Sequence, residues 1–360
     1  MAIREETRML LESMGRLFED LCTKQVVDAA ETGVFAADLW KAVSETGVPL
    51  AALPESAGGA DAEWADLYAA LRVAGRFSAP IPLAETMLAG WVASSAGLEI
   101  GDGPMTVGPV RASDKLTLAR DGNGWRLNGT ASRLPYATVV DRIVLIADGP
   151  DGEMAVVMES SAAPTPAKGK NIANESRDTL VFNDFRLSAE AAAVLPKGVS
   201  RAALYRRGAL ARATMMSGAL ERAMDLAVTY AQERVQFGRP ISKFQAVQQN
   251  LAVLSEQTAV AVAAANLGIE SLSYGDEERE EFLIAIAKTR VGEAATLACE
   301  LAHQVHGAIG FTKEYSLQLA TRRLWSWREE FGSDPEWAAK VGAYFCAKGA
   351  DNLWPILTGG

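Results

Sequence analysis

Two stretches of the sequence gather residue types that could do chemistry. The first is Glu233-Arg-Val-Gln-Phe-Gly-Arg-Pro-Ile-Ser-Lys-Phe-Gln-Ala-Val-Gln248. A helical pattern stops at Phe237-Gly-Arg-Pro240, because proline fixes φ and removes a donor, and a new one starts beyond it. Arg234 offers a planar fork of donors suited to phosphate. Gln245, at the new helix start, adds an amide where free N–H groups favour anions. The same residues also describe an ordinary corner between helices with a solvated arginine and glutamine. The second stretch is Gln304-Val-His-Gly-Ala-Ile-Gly-Phe-Thr-Lys-Glu-Tyr-Ser-Leu. Gly307 and Gly310 allow the backbone to approach a ligand or another chain closely. His303 and His306 lie one helical turn apart and fit a structural role better than a metal site.

The rest of the composition narrows the chemistry. The 360 residues carry a formal charge of −10, with 49% hydrophobic and 22% charged residues. An acidic chain without a basic face is unsuited to nucleic acid. Cys22, Cys299 and Cys346 form no C-x-x-C pair and read as free buried thiols of a reducing cytoplasm. Two histidines are too few for a multi-histidine metal centre and argue against a Ser-His-Asp triad. Neither a G-x-G-x-x-G nor a phosphate-cradling G-K-[ST] loop is present. The start, Met1-Ala-Ile-Arg-Glu-Glu-Thr-Arg, lacks the apolar stretch of a leader, and no apolar run looks long enough to cross a bilayer.

The elements that must position these residues change character twice. Leu10, Leu11, Met14, Leu17, Phe18 and Leu21 recur at helical spacing. Further helices are expected over 62–76 and 84–96, with Pro54-Glu-Ser-Ala-Gly-Gly as a breaker. After Gly101, short apolar runs alternate with Gly, Pro and Asp. Trp125-Arg-Leu-Asn, Arg142-Ile-Val-Leu-Ile-Ala, Ala155-Val-Val-Met and Thr179-Leu-Val-Phe are the strand candidates, and their spacing suggests a small antiparallel barrel or sandwich. From about Ser200 long helices return, over 201–234, 244–273 and 277–306, rich in Ala, Leu and Met. Asp276-Glu-Glu-Arg-Glu-Glu281 reads as an acidic helix start. Trp325, Trp327 and Trp337 could line a cavity, but core packing is the better reading.

Taken together, the two stretches resemble the acyl-CoA dehydrogenase family. Arg-Val-Gln-Phe-Gly-Arg-Pro-Ile-x-x-Phe-Gln matches its R-x-x-F-G-x-P-I-x-x-F-Q. Gln-Val-His-Gly-Ala-Ile-Gly-Phe-Thr-x-Glu-Tyr, followed by Arg322-Arg323, matches its Q-x-x-G-G-x-G-x-T-x-E-x…R. The resemblance implies a mainly α, α+β fold. It comprises an N-terminal helical domain (1–100), a central small antiparallel β-barrel domain (101–197) and a C-terminal four-helix bundle (198–360). It implies FAD as cofactor, an acyl-CoA thioester as substrate and α,β-desaturation as reaction. It further implies an electron-transfer flavoprotein as electron acceptor, and a homo- or hetero-oligomer with a homologous subunit. Arg234, Phe237, Gln245, Gln304 and Gly307 match positions that hold the ADP half of a neighbour's FAD, and Ala308 stands where a second glycine is usual.

The flavin-ring half departs from the family pattern. Met105-Thr-Val-Gly-Pro-Val-Arg-Ala-Ser-Asp114 replaces T-E-P-x-x-G-S-D, and Arg133-Leu134-Pro135 replaces W-I-T, so that proline stands where a hydroxyl donor is usual. The two positions that carry the family's base hold Phe331 and Gly208. Glu330, one residue from the first, is therefore the candidate catalytic base. Two functions follow: a catalytic acyl-CoA dehydrogenase with a relocated base, or a non-catalytic subunit that completes a homologous partner's FAD site.

Overall fold

The structure is a computed structural model and describes residues 5–358. The charged start read above begins at Met1–Arg4, outside the described residues. The chain divides into two compact units, Met1–Ala211 and Arg212–Gly360.

The first unit opens with helices α1 (Glu5–Leu21), α2 (Lys24–Thr32), α3 (Ala37–Glu45), α4 (Trp64–Arg76) and α5 (Leu83–Ser95). The apolar stripe of α1 buries Met14 and Phe18 completely. Helix α5 has no polar face to speak of, and Leu83 through Gly90 are all buried, as a helix apolar on every side must be. Seven strands follow: β1 (Met105–Gly108), β2 (Leu116–Asp121), β3 (Gly124–Pro135), β4 (Arg142–Gly149), β5 (Gly152–Glu159), β6 (Arg177–Leu187) and β7 (Ala192–Val194). Leu88, Ala89 and Val92 of α5 share one core with Met105 and Val107 of β1, Val144 and Ile146 of β4, and Ala155 of β5. The Thr86 hydroxyl accepts from the Met105 amide at 3.0 Å and ties the helix to the sheet.

The sheet corrects the expectation of an antiparallel barrel. Its order is β6-β3-β2-β4-β5-β7, and β1 pairs with β4 in parallel. No pairing joins its end strands, β6 and β7, among the described residues. The parallel pair arises because β1 leaves α5 alongside β4, and the β2–β3 hairpin lies between them in sequence. The four strand candidates fall within β3, β4, β5 and β6. β1, β2 and β7 were not anticipated, being short or interrupted by charge.

Strand β3 is bent by irregularities between Leu127 and Gly129 and between Ala131 and Leu134. Gly129 sits at φ 122°, and a Cβ there would lie 2.1 Å from the Lys115 carbonyl oxygen. The buried Asp114 carboxylate fixes the second irregularity by accepting from the Ser132 amide at 2.8 Å and from its hydroxyl.

Helix α6 (Arg201–Glu233) enters the second unit at Arg212. A two-stranded hairpin, β8 (Val235–Gln236) and β9 (Arg239–Pro240), leads to α7 (Gln245–Ser271), α8 (Glu277–His306), α9 (Leu317–Arg328), α10 (Asp334–Lys348) and α11 (Leu353–Thr358). These long helices begin and end close to the boundaries expected from the sequence. Asp276 caps α8 by accepting from the amides of Glu278 and Arg279, with acids in the first turn as the helix dipole favours. Buried alanines line both α7 and α8: Ala261, Ala264 and Ala265 on the first, and Ala287, Ala294, Ala295 and Ala298 on the second. Trp327 and Trp337 are core residues, whereas Trp325 is 39% exposed and is not.

Among the described residues one helix, α7, has the length and composition of a membrane span, as core helices of soluble proteins also can. It has 27 residues, and its best 18-residue window has mean hydropathy 1.3, enough to cross a bilayer by length and composition alone.

Gly129→Ala should lower stability on the order of 2 kcal/mol or more in urea unfolding, because backbone strain and a backbone clash add. Gly152→Ala, at φ 118° with nothing within 4 Å of its Cβ, should lose only the strain component. Equal losses from the two would refute the clash at Gly129.

Candidate functional site

The residues expected to hold a dinucleotide share one end of the second unit. Arg234 closes α6: its amide donates to the Tyr230 carbonyl at 2.9 Å, and its carbonyl accepts from Ile241 at 2.8 Å. That bond folds the hairpin back so that α7 starts close to where α6 stops. Phe237 sits at the hairpin tip with φ 49° and 92% exposure, edge-on to Phe244 at 6.1 Å. Gln245 is the first residue of α7 and is exposed. No side chain caps this helix, and its first turn holds no acid. Its leading N–H groups and the positive end of its dipole are therefore available to an anion.

The end of α8 belongs to the same region. Arg290 donates to the Gln257 side chain at 3.3 Å. From that pairing, antiparallel register places Gln245 level with the last turn of α8. Gln304, in that turn, is exposed, as are Gly307 and Ala308. Gly307 ends the helix at φ 63°, ψ −145°, with no atom within 4 Å of a built Cβ. Tyr230 of α6 stacks on His306 of α8 with ring centroids 4.7 Å apart, which joins the two helix ends. Arginine fork, uncapped helix start, two amides and a bare glycine backbone make a donor set of the kind that suits a pyrophosphate and its nucleoside.

Glu330 lies in the turn between α9 and α10. Its Oε2 accepts from Arg212 Nε at 2.7 Å, and the two side chains are only 11% and 2% exposed. The Arg212 guanidinium also lies over the Phe331 ring, 5.8 Å from its centroid. Phe331 itself is buried, with φ 52°. Lys288 of α8 holds this turn from beneath. Its ammonium donates to the Arg328 carbonyl and, at 2.8 Å, to the Gly332 carbonyl. Burial pushes Lys288 down to about 8, against the opposing pull of Asp334. Asp334, in turn, accepts from Arg328 Nε, and burial raises its carboxyl above the usual range. Trp337 donates to the Phe331 carbonyl at 2.8 Å.

Arg212 and Lys288 were not singled out in the sequence, although a signal was there. Ile284, Ala285, Lys288, Val291, Gly292 and Ala295 follow helical spacing, so the lysine stands on a buried stripe. Arg212 stands likewise among Ala209, Ala213 and Met216. A cation on an apolar stripe marks a buried ion or carbonyl clamp.

In the first unit, the stretches matched to the flavin-ring half have other uses. Met105–Gly108 is strand β1, buried throughout. Asp114 pins β3, and Leu134 and Pro135 are buried where β3 pairs with Asp178 and Arg177. Gly208 is buried within α6, and its neighbour Arg207 is held between the rings of Trp64 and Trp91, at 4.8 and 4.3 Å. Among the described residues, no group of three or more His, Cys, Asp or Glu side chains that could hold a metal ion occurs.

Comparison with known proteins gives a consistent result. The family models for the acyl-CoA dehydrogenase N-terminal and C-terminal domains match residues 4–99 and 201–334. Acyl-CoA dehydrogenase IpdE2 of Mycolicibacterium smegmatis is 27% identical over 322 residues, 89% of this chain and 92% of that protein. The ChsE4-ChsE5 complex from Mycobacterium tuberculosis superposes with a TM-score of 0.86 at 22% identity, over 97% of this chain and 99% of that one. A steroid ACAD, Tcur3481-Tcur3483, superposes with a TM-score of 0.83 at 25% identity, over 94% and 97%. This chain belongs to the acyl-CoA dehydrogenase family, a family of flavoprotein oxidoreductases, and has its mainly helical fold with an inserted sheet.

FAD is the cofactor that the family implies. The second unit's exposed donors fit the ADP half of that group. The buried strand and proline in the first unit do not supply the hydroxyl and backbone donors expected for the ring half.

Lys288 gives a pH signature. Its folded pKa lies below the ordinary value of 10.5, so the unfolded chain binds more protons between about pH 8 and 10.5 and stability rises with pH there. The wild-type chain should gain about 3 kcal/mol relative to Lys288→Met across that window in urea unfolding. Parallel pH profiles for the two proteins would exclude a depressed lysine.

Proposed function

We propose that this chain is a subunit of a heteromeric acyl-CoA dehydrogenase, in which it completes the FAD site of a homologous partner and does not itself carry the base. The observation that carries this reading is the state of the two half-sites. The ADP-side residues Arg234, Phe237, Gln245, Gln304, Gly307 and Ala308 are exposed at one end of a unit. Glu330, in contrast, has its Oε2 engaged by the buried Arg212. A general base needs its lone pair within reach of the proton it removes.

Arg234 and the α7 start would hold the pyrophosphate, and Gln245 and Gln304 the adenosine side. When bound, FAD supplies the hydride acceptor for oxidation of the acyl-CoA at its α and β carbons. The partner would provide the base and the contacts to the flavin ring. An electron-transfer flavoprotein would then reoxidise the complex. The steroid ACAD at 25% identity favours a bulky acyl group, by analogy. The cysteines Cys22, Cys299 and Cys346 are in no disulfide, with the first two buried and Cys346 exposed, which accords with a reducing cytoplasm.

A second reading keeps Glu330 as base in a self-sufficient enzyme. It is favoured by the placement of Glu330 beside Phe331, the matched base position, in a turn that retains 11% side-chain exposure.

The chain purified alone should be colourless, and the chain co-expressed with a homologous partner should be yellow and bleached by acyl-CoA. Arg234→Ala combined with Gln245→Ala should strip FAD from that complex while leaving it assembled. Yellow, substrate-reducible protein from the single chain would establish the second reading instead. In that case Glu330→Gln should abolish flavin reduction while FAD stays bound.

A further inference from the structure

His306 is the last residue of α8 and precedes Gly307, at the backbone turn assigned above to the dinucleotide. Its ring is buried, with 3% of the residue exposed. Nδ1 lies 2.7 Å from the Ala302 carbonyl, to which it donates. The Leu226 carbonyl of α6 faces the same imidazole as a second acceptor. Nε2 is nevertheless buried without a hydrogen bond. Tyr230 stacks on one side at 4.7 Å, and Tyr315 leans on the ring at 4.9 Å. The two tyrosines meet edge to face at 5.9 Å. The imidazole thus joins three segments: the end of α6, the end of α8 and the lead-in to α9. The following turn is packed on it, since a Cβ on Gly310 would lie 3.0 Å from His306 Cβ and 3.1 Å from His303 Nδ1.

A neutral imidazole has one donor and one acceptor, and here two carbonyls compete for the donor. A second N–H would serve the other carbonyl, but it brings a full charge into a buried aromatic site. The titratable groups around the ring are His303 from α8, Tyr230 from α6 and Tyr315 ahead of α9. Glu233 and Arg222 of α6, of opposite sign, act on Tyr315. Among the described residues, no carboxylate acts directly on the ring to compensate a charge. Burial accordingly holds both His306 and His303 below the ordinary imidazole value of 6.5, and their mutual repulsion adds to this at His303.

We propose that neutral His306 is a positioning residue for the Gly307–Phe311 turn, and that proton uptake by its ring loosens this turn and weakens dinucleotide binding there. The second half of this statement rests on the functional reading above; the first does not. Because the charged form is disfavoured in the folded turn, order is complete above pH 6.5 and is lost as pH falls through the lower folded value.

The test is hydrogen exchange of the 303–311 segment in the full chain from pH 8 to 5, corrected for intrinsic rate, for wild type, His306→Phe, His306→Met and His303→Gln. FAD affinity of the co-expressed complex is read over the same range, because its pyrophosphate does not titrate there. Wild type and His303→Gln should lose protection and affinity by up to about tenfold per pH unit at the acid end, the limit for one linked proton. Both His306 variants should show flat profiles. A pH-independent wild type, or the same slope in His306→Phe and His306→Met, would overturn the assignment. A protection transition that disappears in both variants, with no FAD bound by the wild-type complex at any pH, upholds the positioning role and removes the cofactor reading alone.

Discussion

The second unit depends on neutralising cations inside a body rich in alanine. Lys288 and Arg212 project from buried helix stripes where no water can solvate them. Each is matched by groups from the single turn between α9 and α10: the carbonyls of Arg328 and Gly332 for the lysine, and the Glu330 carboxylate for the arginine. Burying an ion without such partners costs several kcal/mol. The turn therefore has to keep its path, including the left-handed residues Phe331 and Gly332. Alanine-rich helices can approach closely, and that closeness is what shuts solvent away from these charges.

This constraint bears directly on the chemistry. A carboxylate in the α9–α10 turn can serve as a base only if it is not already engaged by a cation. Here the engagement is short and almost dry, and the ring of Phe331 fills the neighbouring position. The opposite end of the unit obeys a different logic. There the donors are left uncapped and exposed, as is expected of residues whose acceptor comes from outside the chain.

Much of this was legible in the sequence. The limits of α6, α7 and α8 followed from long proline-free runs and from the acidic start at Asp276. The residues of the ADP-side cluster could be named because they lie in short, contiguous motifs around two helix ends. The sheet was less legible. Met105–Gly108 is short and was not among the strand candidates, so the parallel pairing of β1 with β4 could not be foreseen. The Arg212–Glu330 pair joins positions 118 residues apart, and periodicity reports which side of a helix is buried but not what it meets.

The two neighbouring positions 307 and 308 differ in how freely they can vary. Gly307 adopts φ 63° with ψ −145°, a combination open in practice only to a residue without a side chain. Ala308 has no left-handed backbone and faces outward. Backbone geometry therefore does not dictate the residue at 308. The codon before it is fixed by backbone geometry whether or not a nucleotide ever docks.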